Sequence, residues 1–309
     1  MILTGVVLLA LSICGTELDA QELATKNKRA AVDSSLQLMR TDTWQKRSEG
    51  FYGLLRAQLG VDLNGASTKI APALQALMRE VPDRGFELTT TLIDVLRREN
   101  AFSSSAQTTA EFSSYHGDLV LAVASLGDRR ALSPLVDILE TGNLATRGVA
   151  RLGASAALVP VLNLVKAASD SKRNAAIRTL AYLLDPNINP EPVTQGQRAE
   201  IKEALVRATS DVTPFVRISA IEGVSRLSDP DVVGLLRRLS ETDPYSTIEE
   251  SGQVVFSVRE AAKRALASSA AGKAGAQRTI PRDRYLRVPK WITRPDDTAN
   301  WWPPFRSPN

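Results

Sequence analysis

The sequence predicts an all-α fold: an α-solenoid of stacked antiparallel helix pairs with an extended C-terminal tail. Three observations lead there. Segments of the chain repeat at offsets of 44, 26 and 42 residues. Each repeated segment places apolar residues at helical spacing. The same turn signals, Asp-Pro and Leu-Gly, punctuate the copies.

The longest repeat aligns Ala176 with Ala220, Ile177 with Ile221, Leu180 with Val224 and Leu183 with Leu227. Asp185-Pro186 then meets Asp229-Pro230, and Arg173 meets Arg217. At the offset of 26, "LGDRRALSPLV" from Leu126 meets "LGASAALVPVL" from Leu152; at 42, "VRISA" from Val216 meets "VREAA" from Val258. Val216, Ala220, Val224 and Leu227 form one apolar stripe. Asp229-Pro230 breaks that helix, because Asp suits an N-cap and Pro the first turn of the next helix. Val232, Val233, Leu235, Leu236 and Leu239 make a second apolar face. One unit is thus a helix, a tight turn and a second helix. Neither helix can bury its face alone, and stacked pairs bury a continuous core.

These units resemble HEAT repeats, including the HEAT-like type of many bacterial proteins. The resemblance rests on the two Asp-Pro turns, "LGDRRAL" at 126–132 and the Val-Arg-x-x-Ala starts at 216 and 258, and it covers roughly 115–268. It implies an inter-repeat ladder between an Arg and an Asp six residues before it. Asp211 and Arg217 fit that spacing; Gln253 holds the place before Arg259 and Ala167 the place before Arg173. Asp211, Arg217 and Arg259 are therefore expected as inter-repeat structural residues.

The organisation reads as a signal peptide (1–20), an N-terminal helical region with degenerate repeats (21–114), HEAT-like repeats (115–268), and a linker with a basic, Trp/Pro-rich tail (269–309). Amphipathic helices are expected at 44–59, 69–81 and 86–100, with Ser67 or Thr68 capping the second, and a further helix at Tyr115–Leu126. Polar insertions at 185–197 and 242–252 are expected as edge loops. About twelve helices should lie between residues 21 and 270.

"MILTGVVLLALSIC" opens the chain. The apolar core Ile2–Ile13 has the length of a signal-peptide core and falls short of the ~20 residues that span a bilayer. Ala20 offers a cleavage site. "LSIC" also resembles a bacterial lipobox, which would lipidate Cys14, and an uncleaved anchor is the third possibility. Export to the periplasm or outside the cell is the expectation, with envelope anchoring only if Cys14 is lipidated or the signal is kept. Cys14 is the one cysteine, so cleavage at Ala20 would leave no thiol for a disulfide, a metal site or a nucleophile.

Loss of residues 1–20 moves the formal charge from +4 to +6, and residues 271–309 hold eight Lys/Arg against three Asp/Glu. The body at 21–270 is thus near +1, and the pI of 9.3 belongs to the tail. This argues against a nucleic-acid partner, which wants a basic stripe on a folded face. His116 is the sole histidine, so a His-based zinc site is excluded. It reads as a polar residue at a helix start. No phosphate loop and no paired serine and base occur, and Glu249-Glu250 reads as a solvated loop. Catalytic residues, cofactors and metals are expected to be none.

"NWWPPF" (300–305) is the anomaly, since aromatic rings flanked by prolines are costly to leave in water. Trp291, Trp301, Trp302 and Phe305 are the candidate protein-binding residues. The sequence therefore points to an exported, non-enzymatic scaffold for a protein or peptide partner. Two alternatives remain. The resemblance also reaches HEAT-like enzymes that attach bilin chromophores to proteins, and a structural or assembly lipoprotein of the envelope would use the same architecture.

Overall fold

The computed structural model describes residues 22–60, 66–103, 109–227, 229–248, 253–274, 286–287 and 300–301. Within them the fold is all-α, with thirteen α-helices. The opening apolar segment lies outside the described residues. No helix among those described is long and apolar enough to cross a membrane. The chain divides into two compact units, and the division falls between Ala122 and Val123.

The first unit begins with α1 (22–39) and α2 (Trp44–Leu59). The sequence reading had not singled out α1, although Val32, Leu36 and Met39 keep helical spacing and are buried. The four-residue turn 40–43 folds α2 back on α1. Gly50 lies so close to α1 that a Cβ there would sit 2.6 Å from the Ser35 carbonyl oxygen. α3 (Ala66–Glu80) and α4 (Gly85–Ser103) follow. Because α3 starts at Ala66, Ser67 and Thr68 are its second and third residues rather than its caps. α5 (Ala110–Leu126) starts five residues before the expected Tyr115. The added turn buries Phe112, whose ring packs edge-on against Trp44 at 5.5 Å and Phe102 at 4.8 Å.

The second unit takes the last turn of α5 and then α6 (Leu132–Asp137), α7 (Asn143–Arg151), α8 (Ala154–Leu164), α9 (Asp170–Leu183), α10 (Gln195–Ala208), α11 (Pro214–Ser225), α12 (Pro230–Thr242) and α13 (Ser257–Ala274). Helices α7, α9, α11 and α13 form one row in which each packs on the next. Helices α8, α10 and α12 lie against that row. The chain alternates between the rows, so consecutive helices form antiparallel pairs.

The turn signals act as their chemistry requires. Gly127 and Gly153, the two glycines of the Leu-Gly repeats, have φ of 67° and 90°, where a side chain is strained. Asp185 and Asp229 each accept the amide of the residue two further on, Asn187 at 2.9 Å and Asp231 at 3.0 Å. Pro230 opens α12. After Pro186, in contrast, an insertion intervenes and α10 starts only at Gln195, under a capping box of Thr194 and Gln197. This insertion is not all surface, as its polarity suggested. Ile188 and Asn189 are buried, and the Asn189 side chain donates to the Leu183 carbonyl at 2.8 Å. Glu191 reaches back to accept the Ser155 amide at 2.9 Å, supplying a carboxylate to the start of α8.

Small residues let the row of α7, α9, α11 and α13 close up. Ala176 and Ala220 are fully buried, and a Cβ on Gly223 would meet Leu205 at 2.7 Å and Ala181 at 3.2 Å. Ala220→Leu should therefore overpack the α11 contact and cost about 1–3 kcal/mol. Thermal unfolding checks this; an unchanged midpoint would place Ala220 on the wrong face of the helix.

Candidate protein-binding surface

The surface is built on a repeated arginine clasp. Arg173 is the fourth residue of α9 and Arg217 the fourth of α11. Each turns one terminal nitrogen back to the carbonyls six and five residues earlier: Ala167 (3.1 Å) and Ala168 (2.9 Å) for Arg173, Asp211 (2.8 Å) and Val212 (3.2 Å) for Arg217. Its other nitrogens donate, two to two, to a carboxylate of the next repeat. Arg173 holds Asp211 at 2.9 and 3.0 Å, and Arg217 holds Asp243 at 2.9 and 3.0 Å. Burial alone would push the Asp211 carboxyl up, but Arg173 and the Thr213 amide hold it below the usual carboxylate range.

Asp211 thus serves two neighbours. Its carboxylate takes the arginine of the preceding repeat, and its carbonyl takes Arg217 of its own. Arg259 closes the series by donating to the Asp243 carbonyl at 2.7 Å and lying 4.1 Å from the Phe256 ring centroid. The acidic group beside Arg259 is Asp243, sixteen residues before it, and not the position of Gln253. The insertion at 242–252 moved it out of register with the repeat. Asp211 and Asp243 share a local geometry, each capping the amide two residues on, Thr213 at 2.8 Å and Tyr245 at 3.0 Å.

The clasp occurs a third time, in the first unit. Arg47 is the fourth residue of α2 and donates to the Thr41 (3.0 Å) and Asp42 (2.6 Å) carbonyls. Its carboxylate partner is Glu99 of α4, at 2.6 and 2.9 Å, and Glu99 also accepts the Tyr115 hydroxyl at 3.1 Å. Glu99 is fully buried. His116 belongs to this interior too. It is the seventh residue of α5, stacked on Phe112 at 5.6 Å, with Nε2 2.9 Å from the Asn100 side-chain oxygen. Burial pushes its pKa down.

With the clasps holding the turns, the row of α7, α9 and α11 presents a polar stripe. Asn174, Arg178 and Tyr182 follow at four-residue spacing along α9, all half-buried. The Tyr182 ring lies between two guanidinium groups, Arg147 of α7 at 5.8 Å and Arg226, the C-cap of α11, at 5.9 Å. Its hydroxyl donates to Asn143 at 3.4 Å, Arg226 donates to Asp185 at 2.6 Å, and Ser219 donates to Asn174 at 2.7 Å. Arg151 lies in the field of Arg147; burial first, and then that like charge, hold its pKa well below the usual arginine value. Three adjacent helices thus bring Arg147, Tyr182 and Arg226 together, with Asp185 beside Arg226. The sequence reading did not find this group. The four-residue spacing on α9 was a usable signal, but nothing in the sequence announced that α7 and α11 would flank it.

A groove of about 510 Å³ in the first unit, lined by Arg40, Phe86, Glu87, Asp94 and Arg98 among others, is a weaker candidate. Its charges answer one another, with Arg40 on Glu87 at 2.5 Å and Arg97 on Asp94 at 2.6 Å. Of the aromatic residues expected to bind a partner, Trp291, Trp302 and Phe305 lie outside the described residues. Trp301 sits in a two-residue strand, Asn300–Trp301, paired antiparallel with Leu286–Arg287. Among the described residues no three His, Cys, Asp or Glu side chains form a group that could hold a metal ion.

No protein-family model and no curated protein matches this chain. Solved structures similar in shape include a "Designed armadillo repeat protein YIII(Dq)4CqI", 16% identical, which matches 76% of this chain and 98% of its own with a TM-score of 0.40. A "Designed armadillo repeat protein YIII(Dq.V1)4CPAF in complex with peptide (KR)4" is also 16% identical, over 75% of this chain and 98% of its own, with a TM-score of 0.40. Likeness at that level carries no inference about a ligand. The stacked pairs and repeated clasps of the second unit make it an α-solenoid of helical repeats.

Proposed function

We propose that the protein is an exported, non-enzymatic scaffold that binds a protein or peptide partner through the face of α7, α9 and α11. The observation that carries this reading is Tyr182 between Arg147 and Arg226. A tyrosine ring flanked by guanidinium groups offers an apolar surface with donors on both sides, and tyrosine and arginine supply much of the binding energy at protein interfaces. The two guanidinium groups beside Tyr182, against the one carboxylate of Asp185, favour a partner segment rich in carboxylates. Export is supported by the apolar run Ile2–Ile13 in the sequence.

The test is fluorescence anisotropy with labelled peptides of glutamate-rich, neutral and lysine-rich composition. The acidic peptide should bind best. Arg147→Glu should weaken it by roughly tenfold or more, equivalent to 1.4 kcal/mol, with unchanged far-UV circular dichroism. Equal affinity for all three peptides, or indifference to Arg147→Glu, would remove this face as the site.

A further inference from the structure

Arg178 is the middle residue of the α9 stripe formed by Asn174, Arg178 and Tyr182. Its neighbours on that stripe are engaged. The Asn174 side-chain oxygen accepts the Ser219 hydroxyl at 2.7 Å, and the Tyr182 ring has Arg147 and Arg226 beside it. Arg178 is half-buried, yet its guanidinium makes no hydrogen bond, ion pair or ring contact among the described residues. The clasp arginines differ: Arg173 and Arg217 each hold a carboxylate and two carbonyls. Half-burial strips Arg178 of part of its hydration, and nothing within the described fold replaces it. The register of α11 against α9 fixes what stands opposite. Ser219 meets Asn174 and Arg226 meets Tyr182, so Glu222, three residues after Ser219, is level with Arg178. Glu222 is exposed and forms no ion pair with Arg178.

We infer that Arg178 is the residue that reads the partner's carboxylate, and that the partner is an extended segment carrying this carboxylate two residues from an apolar side chain. The inference rests on the reading of this face as a peptide-binding surface. Arg226 already donates to Asp185, whereas every guanidinium donor of Arg178 is open. A guanidinium in that state can take a carboxylate through two parallel hydrogen bonds. Arg178 and Tyr182 are four residues apart, about 6 Å along α9 at 1.5 Å per residue. In an extended chain, residues two apart face the same side and lie roughly 6.6 Å apart. One partner residue can therefore rest on the Tyr182 ring while the next but one pairs with Arg178. An apolar side chain suits the first position, because the ring offers apolar area there. The charge of Glu222 opposes an incoming carboxylate and lowers the affinity for such a segment.

Fluorescence anisotropy with three labelled peptides of identical composition tests this on the full chain. Their Glu and Phe are adjacent, two residues apart, or four residues apart. The peptide with the two-residue spacing should bind most tightly. Arg178→Gln should weaken it by roughly tenfold and abolish the preference among the three, while Arg178→Lys should keep part of the affinity. Glu222→Gln should strengthen binding by about threefold. Neither changed side chain holds a partner within the described fold, so far-UV circular dichroism should stay the same in each variant. If Arg178→Gln leaves affinity and preference intact while Arg147→Glu still weakens binding, the inference is overturned and the binding face stands. A preference for the four-residue spacing would overturn the extended geometry in favour of a helical segment. Failure of all three peptides to bind would remove the face, and the inference with it.

Discussion

Glu99→Ala should lower the unfolding free energy by about 3–5 kcal/mol, the range for removing one partner of a buried ion pair. The carboxylate is fully buried and accepts two guanidinium hydrogens and the Tyr115 hydroxyl. Its hydrogen bond to Arg47 is the main reason that the arginine's pKa is raised, outweighing the opposing effect of burial. Truncation strips a buried cation of its counter-charge and leaves a tyrosine hydroxyl unmatched. Against a typical total of about 5–15 kcal/mol this is a large share. Replacing Arg47 and Glu99 together by methionine should recover much of the loss, because paired apolar residues of similar volume often cost little. Urea unfolding of the three chains reads both effects. A single-variant loss under about 1 kcal/mol would mean that water reaches Arg47.

The second large effect should come from Asp243→Ala, and its rank is the sharper part of the prediction. The side chains of Asp243 and Arg217 are 4% and 11% exposed, whereas both members of the Asp211–Arg173 clasp are 15% exposed. Asp243→Ala should cost about 3 kcal/mol and Asp211→Ala about half of that, because screening by water grows with exposure. Thermal unfolding of the two variants side by side decides it. The reverse order would show that Asp211's double engagement, carboxylate to one repeat and carbonyl to the other, outweighs depth of burial.

Much of the fold was legible because periodicity reports burial. Ala176, Ile177, Leu180, Ala220, Ile221 and Val224, aligned across 44 residues, are all fully buried. Charge partners have no such period. Glu99 ends an amphipathic stretch where acids and bases alternate, and its arginine lies 52 residues earlier, so the sequence offered no reason to bury it. One local signal was available. Thr43, Ser169 and Thr213 are the N-caps of α2, α9 and α11, and each stands four residues before a clasp arginine. Asp243 escaped for another reason, since an insertion displaced it from the interval that marks Asp211. The group around Tyr182 escaped because it is assembled from three helices and no single segment contains it.

The position of Asp243 has a consequence for how this chain can vary. The carboxylate that ties α11 to the next repeat comes at the foot of the insertion, and Arg259 returns to the carbonyl of that same residue. Both ends of the excursion from Tyr245 to Phe256 are thereby anchored at one point. Sequence added, removed or exchanged between those ends should leave the stacking of α11 on α13 unaltered, because neither Asp243 contact lies within the excursion. The site is a natural socket, where new segments can be tried while the rest of the architecture stays as it is.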